Sequence, residues 1–203
     1  MEQERDIMYK KQMSLQRIFC LLSLAASVIV FVYSLGIMTD LFDTLYSMIP
    51  DPDDLDNARV AGARIYYDMQ GFNRGLLYCS IVLILLSCLL FLTNTHIRRR
   101  YYIGNYCAVG LNAVANIGVA IWAHIQISAF KNQYLTTVDF AQLERRLGRL
   151  GIYTDSTFWF DIHYFVFALT LIASALLVVN VILKIRLMKD EAALLKNGKA
   201  VSA

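Results

Sequence analysis

Three asparagines and a glutamine interrupt the apolar stretch between positions 101 and 130: Asn105, Asn112, Asn116 and Gln126. At 100° per helical residue the asparagines fall within about 40° of one another, and Gln126 joins their side. Val114, Ile117, Ile121 and Ile125 take the opposite side. Amides offer both donors and acceptors. On a helix surrounded by hydrocarbon, a stripe of them has two uses: hydrogen bonding to neighbouring helices, or lining a polar path for an ion or solute.

Polar stripes recur in the other apolar blocks. Ser23, Ser27 and Ser34 share one helical face, Ser80 and Ser87 lie seven apart, and Thr170 and Ser174 share a face with His163. Small residues permit close helix approach, and hydroxyls bond across helices. Ion-coupled transport and proton relays commonly use charged groups within the spans, and no Asp, Glu, Lys or Arg lies deep in these blocks. Paired glycine or proline breaks, frequent in transporters, are missing too. Packing is therefore the favoured use of the stripes, with a pore lining as the alternative.

Other clusters carry less chemistry. His124, Asp161 and His163 fall near one depth together with Trp122 and Trp159. Asp161 and His163 stand about 200° apart on a helix, which keeps them from sharing a metal, and the group is expected to mark a membrane interface. Asp51, Asp53 and Asp56 resemble calcium ligands only superficially. Gly62 stands where an EF-hand needs its last glutamate, and Asp56 where it needs glycine. Cys20, Cys79, Cys88 and Cys107 all lie in apolar blocks without a CxxC pair, so neither a disulfide-held ectodomain nor a thiol oxidoreductase is expected. No phosphate loop, GxSxG elbow or HExxH pair occurs. The sequence thus predicts no catalytic, cofactor-binding or metal-binding residues, and no enzyme.

What must position these residues is a set of membrane helices. Of 203 residues 58% are hydrophobic and only 17% charged, and the mean hydropathy is +0.49. The apolar residues gather into four blocks, at 18–39, 75–95, 101–130 and 162–183, each about long enough to cross roughly 30 Å of hydrocarbon as a helix. The first is read as an anchor and not a removable signal, since it exceeds a typical signal core and no small-x-small site follows. The fold class expected is an all-α, four-transmembrane antiparallel bundle.

Between the spans lie an N-terminal segment 1–17, a first loop 40–74, a tight turn 96–100, a second loop 131–161 and a tail 184–203. Segment 1–17, the turn and the tail together hold twelve Lys and Arg against five acids, a net +7; the two long loops hold seven against eleven, a net −4. The positive-inside bias places both termini and the turn in the cytoplasm, in a cell membrane. The basic residues are read as topology anchors, with contact to anionic lipid headgroups by Arg98, Arg99 and Arg100 as the lesser reading, and the charge gives no support to nucleic-acid binding.

Each long loop contains a helix signal. In the first, a helix is expected to start near Asp54 and run through Ile65 and Phe72 into the second span. In the second, Thr136 and Asp139 have capping-box-like spacing. Phe140, Leu143, Leu147 and Leu150 then form an apolar face opposite Arg145, Arg146 and Arg149, with Gly151 as the stop. Such a helix caps its own bundle, lies on the membrane or docks a partner.

The topology resembles that of tetraspan proteins in general. The first loop lacks the tryptophans and paired cysteines of the claudin pattern, and the extracellular cysteines of tetraspanins are absent, so no family is assigned. The function expected is that of a non-enzymatic accessory or assembly subunit of a larger membrane complex, in contact with a membrane-protein partner or a second copy. The alternative is a homo-oligomeric channel or transport component lined by the asparagine stripe.

Overall fold

The computed structural model describes residues 2–51, 54–55, 57–94, 102–148 and 155–201; the side chains of 2–6, 8–10, 102, 191–192 and 194–201 lie outside the description. The tight turn 96–100, Pro52, Asp53 and Asp56 of the acidic turn, and Arg149, Leu150 and Gly151 also lie outside it. The described residues are mostly helical and include no strand. Its helices are α1 (Glu2–Gly36), α2 (Thr39–Leu45), α3 (Ile65–Thr93), α4 (Tyr102–Thr137), α5 (Phe140–Leu147), α6 (Phe158–Asp161) and α7 (His163–Val201), with a 3₁₀ turn at Tyr46–Met48 after α2.

Four helical stretches are long and apolar enough to cross a membrane. α1 packs on α3 and α7, and α4 packs on the same two from the other side. The ring so closed is a four-helix membrane bundle, with both termini at one end and the two long loops at the other. Leu21, Val32, Leu85, Leu92, Val114 and Ile121 stand exposed on its outside, as residues facing lipid must.

The helices do not stop where the apolar blocks do. α3 starts ten residues before position 75 and α4 continues seven past position 130, raising the loop end about 10–15 Å above the apolar band. There α2, α5 and α6 form a cap. Leu41, Leu45, Ile65, Met69, Tyr134 and Leu143 are buried in it, continuous with Val30, Tyr33 and Leu76 below. Outside hydrocarbon, burying such a side chain stabilises by about 1.5–3 kcal/mol relative to leaving it exposed.

The expected helix from Asp54 does not form; α3 begins at Ile65. Residues 57–64 instead wind in turns held by tertiary contacts. The Arg59 amide donates to the Met48 carbonyl (2.7 Å) and the Asp139 amide to the Ala61 carbonyl (3.2 Å). Gly62 sits at φ +78° against the Thr137 backbone, where a Cβ has no room. The chain breaks similarly after Gly36, whose bare Cα accepts the Trp159 ring.

Candidate functional site

The polar stripes converge on the bundle axis. Asn105 and Asn112 are fully buried and Asn116 is 2% exposed; Ser23, Ser27, Ser34, Ser80, Ser87, Thr170 and Ser174 are buried as well. In the middle rung, Ser27 donates to the Ser23 carbonyl (2.8 Å) and its hydroxyl meets Ser87 (3.0 Å). Ser23 meets Ser87 (3.0 Å), and Asn112 Nδ2 reaches Ser87 Oγ (3.5 Å). Each hydroxyl has one proton. With Ser27 committed to the carbonyl, Ser87 donates to Ser27 and accepts from Asn112, while the Ser23 proton has two acceptors, Ser87 Oγ and Asn112 Oδ1 (3.4 Å). These bonds link three helices. Asn116 extends the rung by donating to the Asn112 side chain (3.0 Å) and carbonyl (2.9 Å).

A second rung lies nearer the termini. Gln12 donates to Gln16 (3.3 Å), Gln16 to Asn105 across the bundle (2.7 Å), and Asn105 to Thr93 (3.4 Å). Gln12 and Gln16 are buried, although the sequence places them in a polar segment before the first span. The signal was present: 12, 16, 20, 23 and 27 continue one helical face upstream of the apolar boundary. α7 does the same downstream, where Lys184 follows Thr170, Ser174, Leu177 and Asn180 on its buried side. Lys184, read from sequence as the first residue of the tail, is 8% exposed.

Not every stripe residue crosses between helices. Ser34, Ser80 and Thr170 donate to carbonyls three residues back in their own helices (2.7–2.8 Å). They are small packing residues, not crosslinks. Gln126 is only partly buried. The hydroxyl of Ser174 and both polar atoms of the Asn180 amide have no hydrogen-bond partner.

At the loop end the structure brings together two residues that the sequence left apart. His124 Nδ1 lies 2.9 Å from His163 Nε2, with α4 supplying one ring and the first turn of α7 the other. His163 Nδ1 contacts the Phe160 carbonyl. A carbonyl only accepts, so His163 carries its proton on Nδ1 and turns a lone pair on Nε2 toward His124, which donates from Nδ1. His163 is buried at 2% exposure and His124 is exposed. Asp161 points elsewhere, accepting from Lys131 (2.5 Å) and Thr157 (2.8 Å). Ile162, between α6 and α7, keeps helical backbone angles (φ −61°, ψ −18°), and Val166 bonds back to its carbonyl (3.1 Å), so Asp161 and His163 diverge as the helical projection places them.

α5 is capped by Asp139, whose carboxylate accepts from the Gln142 amide (2.9 Å). Thr136 belongs to the preceding helix and donates to the Asn132 carbonyl, so the expected capping-box register starts three residues too early. Leu143 and Leu147 are buried in the chain's own cap, and Phe140 meets Tyr134 edge-on at 5.1 Å. Arg145 and Arg146 are exposed on the far side.

Fold and geometry together define a multi-pass, all-α membrane protein with a polar axis inside an apolar sheath. Comparison with protein-family models, curated proteins and solved structures finds no match.

Proposed function

We propose that the protein is a non-enzymatic accessory or assembly subunit of a larger complex in the cell membrane, with both termini cytoplasmic, acting through its loop-end cap on a membrane-protein partner. The observation that carries this reading is an aromatic cluster left uncovered on the cap. Phe42 and Tyr46 are 51% and 48% exposed. Their rings stack at 5.0 Å, and Tyr66 closes against Tyr46 at 5.7 Å with Tyr67 behind it at 5.1 Å. Beside them runs a groove lined by Met38, Gln70, Asn73 and Arg74. Aromatic side chains and arginine are enriched at protein interfaces and dominate their hot spots.

Gentle extraction from the native membrane tests the reading. Recovery with a stoichiometric partner is expected, and Phe42→Ala with Tyr46→Ala should release that partner while the chain stays folded. Recovery as a lone monomer counts against it.

A homo-oligomeric channel or transport component is supported less well. A pore between copies needs its lining on the outside of each bundle, whereas Asn112 and Asn116 face the axis of one chain. Flux in liposomes separates the two readings.

A further inference from the structure

We propose that His124 and His163 form a binding site for a divalent transition-metal ion of the copper class, open to exchange at the loop end of the bundle. Imidazole nitrogen is a favoured donor for such ions, and the bond from His163 Nδ1 to the Phe160 carbonyl is the outer-shell contact that fixes a ligating histidine's tautomer and aims its other nitrogen. The ring of Tyr164 lies 4.0 Å from that of His163 and restricts it further. One ligand is therefore positioned before any ion arrives.

The spacing of the two nitrogens selects the geometry. Two ligands in neighbouring corners of a square plane, with bonds of about 2.0–2.1 Å, stand about 2.8–3.0 Å apart, whereas a tetrahedral ion needs about 3.3–3.4 Å. The observed separation is 2.9 Å. It suits tetragonal Cu²⁺ or Ni²⁺ better than Zn²⁺, and Cu²⁺ binds most tightly in the general order of divalent affinities. His124 must release the Nδ1 proton that now lies between the rings. That proton leaves Nδ1 through solvent while Nε2 takes one up. Nδ1 then presents a lone pair to the ion, the ring stays neutral, and no net proton is released. A small turn of the ring directs the lone pair, which the exposed side of His124 permits.

Among the described residues no third His, Cys, Asp or Glu completes a set, and Asp161 is engaged by Lys131 and Thr157. The remaining positions fall to water or to a donor from another molecule, which makes the site exchangeable and not a closed structural centre.

The chain has only three histidines, so the test is clean. The full-length protein in detergent is titrated with CuCl₂ by calorimetry and examined by electron paramagnetic resonance. The expected result is one tight Cu²⁺ per chain with two nitrogen ligands. His124→Ala, on the exposed side, should weaken binding by at least the roughly 10–100-fold typical of losing a mere outer-shell partner and remove one nitrogen from the spectrum. His163→Gln should do the same, and His96→Ala should change nothing. If His124→Ala binds Cu²⁺ like the parent chain, with an unchanged spectrum, the copper sits elsewhere and the proposal is overturned.

Discussion

The membrane-crossing part of this protein and its loop-end cap differ in how much polar surface they bury. Along the bundle axis the buried side chains include Gln16, Ser23, Ser27, Ser87, Asn105, Asn112 and Asn116 among leucines such as Leu83, Leu90 and Leu177, while further leucines, isoleucines and valines stand outside. In the cap, Leu41, Leu45, Met69 and Leu143 are inside and Arg64, Arg145 and Arg146 outside. The difference lies in the surrounding solvent. Lipid tails are as apolar as leucine, so burying leucine between membrane helices gains little; close approach and hydrogen bonds bring them together. Water around the cap restores the hydrophobic effect.

Mutations graded by region should expose this contrast. The largest loss is expected for Leu143→Ala, which opens a cavity in the cap and should cost about 2–5 kcal/mol, read as faster amide exchange in α2, α5 and the start of α3. Removing the α5 cap with Asp139→Ala should cost about 0.5–2 kcal/mol and fray the same region without touching the bundle. In the membrane part, Asn112→Leu removes one of the two acceptors of Asn116 and one donor to Ser87. It should cost about 0.6–1.7 kcal/mol in detergent unfolding; a loss larger than that of Leu143→Ala would falsify the contrast. The smallest effect, within about 0.5 kcal/mol, is expected for Ser80→Ala, whose hydroxyl returns to its own helix and crosslinks nothing.

Much of this was legible beforehand. The four spans follow from block length, and the sidedness of Asn105, Asn112 and Asn116 from the 3.6-residue period. Sequence reasoning stopped too early at the membrane edges. A charge ends an apolar block but not a helix, because the hydrogen-bonded ladder continues into water. Gln12, Gln16 and Lys184 thus lie on buried helix faces although they fall outside the apolar blocks. The start of α3 was misplaced for another reason: a favourable local cap at Asp54 is weak compared with docking 57–64 against the ends of α4 and α5.

By itself the sequence determined which segments are membrane helices, how many there are, and which side of each is polar, because these properties depend on composition and on a period set by backbone geometry. Only the tertiary structure decided which polar sides meet. The rotation of α1, α3, α4 and α7 about their own axes makes Ser23, Ser87 and Asn112 a single network. The packing of α4 on α7 brings His163 to His124, 39 residues away along the chain. Such pairings depend on the relative azimuth and height of whole helices, which the packing of all four fixes together and no single helix encodes.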